Sequence, residues 1–286
     1  MKKIYYLGVV FLTINLFNAQ NKKKDAEFVP VEITRENGET ENVLLRGVYS
    51  PRHDSYVGVV GQSYRPYSMY PMNLHFEYKT IEDIDEESDK KPEIKTIKFN
   101  DLKKIRVLNY EQGDIVGYEK LKILEFDSDM KLGHKNYEIL APILNEGKIN
   151  MYGFDLYTNN FYKSTWIYLK KDGDPYAVMP IDHDRNSLLK MKVSSARFIA
   201  SLRQIGGKCT PFSNYINELE KKFEKESVIR EMARGSWEYS EKVRKENKEN
   251  DVPLSKRRRE LDKGNHDYAV SYIQEIIDVY EKNCSN

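Results

Sequence analysis

The sequence predicts an α+β protein, β-rich in its N-terminal half and helical in its C-terminal third. Three observations predict it. Apolar residues alternate with polar ones in short runs separated by turn residues as far as Ile181, the period of half-buried strands. After Ile181 the apolar spacing lengthens to that of helices. Tyrosine is abundant, 21 residues against 11 Phe and 2 Trp, which suits strands that bury a ring and keep a hydroxyl wet. Strands and helices segregated in this way imply a mainly antiparallel sheet with helices on one face or end.

The central stretch, 146–181, is the clearest β signal. Ile149, Met151 and Gly153 fall on one face of a strand, with Asn150, Tyr152 and Phe154 on the other. A second strand follows over 161–169, with Trp166 and Tyr168 on one face and Ile167 and Leu169 on the other. Gly173 sits in a hairpin connection, and a third strand returns over 176–181. The expectation is a three-stranded antiparallel meander.

The N-terminus reads as a signal peptide over residues 1–19. Lys2 and Lys3 precede an apolar stretch over 4–17 that is short for a bilayer span, and Ala19 supplies the small residue for cleavage. An uncleaved anchor helix is the alternative. The expected destination is the periplasm or the outside of the cell. No Cys follows the apolar run to carry a lipid, and no later segment has the apolar length of a membrane helix.

From residue 20 to 181 the chain reads as one β-rich region. Val29, Val31 and Ile33 alternate, Asn37-Gly38 is a strong hairpin signal, and 41–49 pairs back. Residues 50–73 hold Pro51, Pro66 and Pro71 and read as a long loop crowded with Tyr56, Tyr64, Tyr67 and Tyr70. Strand alternation resumes at Leu74, Phe76 and Tyr78, and an acidic loop follows over 82–91. Further strands are expected over 94–99, 102–108 (or a short helix there) and 118–125. The run 137–144 contains Pro142 and is expected to be an edge strand or a short element.

From 182 to 286 the chain reads as a helical region packed on the sheet. Phe198, Ile199 and Leu202 mark a first helix that Gly206-Gly207 ends. Thr210-Pro211 starts a second, with Thr210 as N-cap and an apolar stripe from Phe212 to Phe223. Residues 224–260 are highly charged and read as a surface helix with little to bury, broken near Pro253. Tyr272, Ile273, Ile276, Ile277 and Tyr280 mark a final amphipathic helix over 268–280.

Charge excludes little and suggests little. Lys and Arg number 46 against 45 Asp and Glu, a net of +1, so the whole chain has no general pull toward nucleic acid or anionic lipid. There is no phosphate-cradling loop and no dinucleotide fingerprint, so no cofactor is expected. Asp182, His183 and Asp184 are the best metal-ligand candidates by residue type, but adjacent residues rarely converge on one ion, and a polar junction loop is the favoured reading. His53, His75, His134 and His266 are scattered. Ser187, Ser194 and Ser195 lie near His183 without a nucleophile elbow. No catalytic residue is assigned. Cys209 and Cys284 form either a disulfide, favoured in an oxidising compartment, or two free buried thiols. The tyrosines at 56, 64, 67 and 70 either stack on sugars or peptides or cover the open edge of a sheet. The basic run at 256–259, KRRR, suits an acidic partner or a lipid head-group, but Glu260 and Asp262 dilute it and a solvated helix face is the favoured reading.

The ending FNAQ of the leader, the Asn37-Gly38 hairpin, the EGKINMY strand at 146–152, the FYKSTWIYLKKDG strand at 161–173 and Cys209 before the last helices together resemble a group of uncharacterised secreted proteins from flavobacteria and related Bacteroidetes. The charged segment 224–260 departs from the short tail expected of that group. The resemblance implies export but no activity, and it carries over no site. The functional expectation is a secreted or envelope protein with a non-enzymatic binding or structural role, its partner a protein or glycan of the cell envelope. The alternative is a secreted hydrolase acting on glycan or peptide.

Overall fold

The computed structural model describes residues 28–46, 52–55, 75–80, 93–108, 116–158, 161–181 and 191–284. The architecture is α+β, as the residue pattern predicts. The strands are β1 (Phe28–Arg35), β2 (Thr40–Arg46), β3 (Arg52–Ser55), β4 (His75–Thr80), β5 (Lys95–Lys98), β6 (Leu102–Val107), β7 (Gly117–Phe126), β8 (Leu132–Asn145), β9 (Ile149–Thr158), β10 (Phe161–Lys171) and β11 (Ala177–Val178). The helices are α1 (Met191–Gly206), α2 (Thr210–Lys225), α3 (Val228–Glu249) and α4 (Leu254–Cys284).

Five strands close on themselves. β7 to β10 pair in chain order, β11 pairs β10, and β11 then lies parallel to β7 at Ala177↔Ile123. The small barrel so formed is filled by side chains, with Trp166, Tyr168, Tyr152 and Phe154 meeting Leu121, Ile123, Ile139 and Ile143. From β7 the sheet continues outward through β6, β1, β2, β4 and β5. Val31, Ile33, Val43, Leu45 and Ile105 lie in a second cluster on that extension. The β1–β2 hairpin turns where Asn37-Gly38 predicts, with Gly38 at φ +87° and the Asn37 side chain accepting from the Glu39 N–H at 3.0 Å.

The central meander is present, but its strands are buried on both faces rather than one. Tyr152 and Phe154 point into the barrel, while Ile149 and Met151 on the opposite face meet the helices. The third strand, expected over 176–181, is only two residues long. β8 is a central strand of 14 residues, not an edge strand. Its proline is tolerated because pairing to β7 ends at Pro142 and pairing to β9 begins at Ile143. The missing N–H falls where the strand changes partners.

The helices cover the outer face of the barrel. Phe198 and Leu202 of α1, Phe212 and Ile216 of α2, and Ile273, Ile276 and Ile277 of α4 pack with Ile167, Leu169 and Val178. A disulfide joins Cys209 to Cys284, with the Cα atoms 5.9 Å apart. It ties the start of α2 to the end of α4. Cys209 rather than Thr210 stands at the N-cap of α2, which places Pro211 within the first turn, where its lack of an N–H costs nothing.

The largest departure from expectation is the C-terminal helix. It runs for 31 residues from Leu254 and includes 254–267, which the sequence pattern leaves outside it. Gly264 does not end it, because that glycine is a packing notch. A Cβ there would lie 2.8 Å from the Tyr239 ring of α3, and one at Gly235 would lie 2.0 Å from the Tyr268 hydroxyl of α4. The two glycines let α3 and α4 approach as a helical hairpin. Gly235→Ala should therefore lower stability by about 1–2 kcal/mol, because overpacking outweighs the gain in helix propensity. A thermal melt checks this, and a stabilised variant, as at an exposed helical glycine, would show the contact to be absent.

Candidate functional site

The residues that matter most begin with an anomaly of β9. Asp155 follows Ile149, Met151 and Gly153 on the outer, helix-covered face, and it is 8% exposed. A carboxylate on an apolar buried face needs donors. Two reach it. Thr165 of β10, its cross-strand partner, donates its hydroxyl to Asp155 Oδ1 at 2.7 Å. His266 of α4, 111 residues away, donates from Nδ1 to the same oxygen at 2.8 Å. Because an ionised Asp only accepts, the His266 tautomer is set with its proton on Nδ1. Tyr162 completes the chain, its hydroxyl lying 2.9 Å from Thr165 Oγ1. With Thr165 donating to Asp155, Tyr162 is the donor of that bond.

The electrostatics follow from this geometry. Burial pulls the His266 imidazole downward, but the hydrogen bond to Asp155 and the Asp155 charge outweigh it. Asp267 adds to the upward pull and Lys263 opposes it, and the net displacement is upward. Burial likewise raises the Tyr162 phenol, so that it stays a neutral donor. The side chains of His266 and Asp155 are 21% and 12% exposed, so their attraction is only partly screened by water.

Beside this cluster lies a cleft of about 230 Å³ between the barrel wall and the helical hairpin. Tyr162, Ser164 and Thr165 line one side, and Met232 and Ser236 of α3 with Asn265 and Tyr268 of α4 line the other. Asn265 Oδ1 accepts from Ser236 at 2.6 Å and from Ser240 at 3.1 Å, and its Nδ2 donates to the Leu261 carbonyl. This polar seam holds the two helices in register beneath the cleft.

The chemistry available is limited and definite. An Asp that fixes one nitrogen of a His leaves the other to accept or deliver a proton, the orientation logic of a general base. Both donors converge on one Asp155 oxygen, however, so Thr165 is bonded to the carboxylate and is not presented as a nucleophile to the free nitrogen. The arrangement fastens α4 to the barrel. A second polar cluster closes one end of the barrel, where Glu119 accepts from the Tyr152 hydroxyl and from Lys170, both at 2.7 Å. Nearby, the hydrogen bond from Lys104 and the charges of Lys104 and Arg106 lower Glu146.

Of the residues singled out in the sequence, Tyr56, Tyr64, Tyr67 and Tyr70 lie outside the described residues, as do Asp182, His183 and Asp184. Among the described residues, no three His, Cys, Asp or Glu side chains gather as a metal site. Cys209 and Cys284 are brought together as a disulfide, so neither is a nucleophile in this structure. The backbone of His53 lies in β3, parallel to β9 and opposite Leu156. Among the described residues, no helix is long and apolar enough to cross a membrane. No family model, curated protein or solved structure matches this chain.

Proposed function

We propose that this chain is an exported protein of the cell envelope that acts by binding, its barrel and disulfide-tied helices serving as a mount for the arm formed by α3 and α4. The observation that carries this reading is the arm itself. Between residues 229 and 263, Asn247 is the one buried side chain among those described. The apolar anchors of the hairpin are Val228 at one foot and Ala269, Ile273, Ile276, Ile277 and Tyr280 along the other. At 1.5 Å per residue the 22 residues of α3 span about 33 Å. Beyond Val228, Ile229 and Met232 at its foot, no described residue from 233 to 263 belongs to the apolar core, so the far part of the pair contributes little to holding the body together, and Trp237, 63% exposed, stands on it. The leader-like N-terminus and the disulfide suit an oxidising compartment.

Fractionation of the native envelope tests the reading. The mature chain is expected to begin near Gln20, with both thiols blocked until reduction. A chain whose residues 241–262 are replaced by a short turn should keep its thermal transition and leave the envelope fraction. An intact Met1 chain with free thiols would sink export, and undiminished retention without the arm would sink binding through it.

A secreted hydrolase acting on glycan or peptide is the second reading, and the Asp155–His266 pair beside a cleft is what favours it. That reading requires His266→Gln to abolish release of product while the protein stays folded.

A further inference from the structure

We infer that the apex of the α3–α4 arm docks onto an anionic lipid surface. The inference rests on the arm being the binding element, and it names the partner. Charge is sorted along the arm. Residues 242–259, the last turns of α3, the connection and the first turns of α4, hold eight Lys or Arg against three Asp or Glu, a net of +5. The lower part, 228–241 together with 260–267, holds three Lys or Arg against six Asp or Glu, a net of −3 with His266 neutral. A chain of net +1 thus concentrates its positive charge at one end of the helical hairpin.

The concentration is contiguous in sequence, and the hairpin folds it back on itself. The KRRR run, diluted in sequence by Glu260 and Asp262, sits at the N-terminal turn of α4, and the fold brings the basic end of α3 beside it. Lys245 and Lys248 from α3 and Lys256, Arg258 and Arg259 from α4 are all exposed. Glu260 and Asp262 follow the run on α4, and Glu246, Glu249 and Asp251 are the acids within the segment.

What separates lipid from another polyanion is the turn between the helices. Val252-Pro253-Leu254 makes the connection between the two helices, with Pro253 exposed and Leu254 79% exposed. An exposed Leu254 in a segment where eight cations outnumber Glu246, Glu249 and Asp251 fits the boundary of a bilayer, where the apolar group enters the acyl layer and the cations meet phosphates. A soluble acidic polymer gives Leu254 nothing to enter. Attraction of this kind falls as salt shortens the range of the field.

Co-sedimentation of the full-length protein with vesicles decides the matter, using phosphatidylcholine alone and phosphatidylcholine mixed with phosphatidylglycerol. Binding is expected to the mixed vesicles only, and to weaken with added salt. The triple variant K256E/R258E/R259E should lose about a hundredfold in affinity. Leu254→Ser should lose about tenfold. Both variants alter exposed positions, so an unchanged thermal transition shows that the loss is not one of folding. Equal binding to neutral vesicles, or full binding by the charge-reversed variant, overturns the inference. Retention on heparin without binding to vesicles overturns it too, and assigns the apex to an acidic polymer. If retention in the envelope depends on the arm while vesicles are ignored, the binding reading stands and the lipid assignment falls.

Discussion

Removing the Cys209–Cys284 disulfide, by Cys209→Ser with Cys284→Ser, should cost about 3–4 kcal/mol. The bridge spans 75 residues of sequence and encloses α2, α3 and nearly all of α4. Closing so long a loop removes much of the freedom of the unfolded chain, which is where most of the stabilisation arises in the chain-entropy account. Native packing gives a reason to expect the full effect. Phe212 and Tyr280, three and four residues from the two cysteines, meet edge to face with centroids 5.2 Å apart. A Cβ on Gly206 would lie 2.4 Å from the Phe212 ring. The helices therefore meet closely at that point without help from the bridge, and the bridge holds together elements already in contact. Urea denaturation of the double variant should show a lower midpoint with a slope equal to or greater than that of the oxidised protein. A loss under about 0.5 kcal/mol, the scale of an ordinary surface change, would mean that the unfolded chain is already compact there.

Much of the body was legible because local pattern and tertiary fold agree in it. The Asn37-Gly38 turn, the inward Leu121 and Ile123, and the opposite faces of Trp166 and Ile167 all follow from a period of two and from turn chemistry. The errors fall where a residue's role is set by something distant. Pro142 argues against a central strand by local rule, and nothing local reveals that β8 changes neighbours at that residue. The last helix was expected over 268–280, and only its packing against α3, where Gly264 meets the Tyr239 ring, shows why it begins at Leu254. The charged segment 224–260 was rightly expected to bury little, but its meaning changes once α3 and α4 fold back on each other. The basic stretch 242–259, unremarkable in a linear reading, becomes the end of a helical hairpin.

The candidate site was the least legible part. Asp155 and His266 are separated by 111 residues, and no spacing rule joins them. One signal was present. Continuing the alternation of β9 by one step places Asp155 on the face of Ile149 and Met151, and a carboxylate there calls for a partner from whatever covers that face. The sequence offers five histidines as candidates and no means of choosing among them. The choice is made by the length of α4, which carries His266 back over the barrel.

His266→Ala should cost about 2–3 kcal/mol near pH 6 and less in mild alkali, and the pH dependence is the sharper test. Loss of the imidazole leaves a buried Asp155 with Thr165 as its remaining donor in the cluster, and a buried charge deprived of a partner is costly. The sign follows from the upward displacement of His266 in the folded protein. Its contribution is fully present below its unfolded pKa of about 6.5 and is lost as pH rises through the higher folded value. Neutral His266 keeps its Nδ1 proton and its hydrogen bond, so what disappears is the charge attraction. The wild-type protein should therefore lose stability from near neutrality upward, and His266→Ala should remove that slope. Asp155→Asn should flatten it too, because the amide oxygen still accepts from Thr165 and His266 but carries no charge. Neutral His266 can be buried without a counter-charge more readily than Asp155 can, so the aspartate variant should lose less stability than the histidine variant. Melting temperatures of the three proteins from pH 5.5 to 9 measure all of this, the range being chosen around the unperturbed His value of about 6.5. A wild-type curve parallel to that of His266→Ala would show that the clasp carries no net charge attraction. Equal loss in both variants at every pH would reduce it to a hydrogen bond.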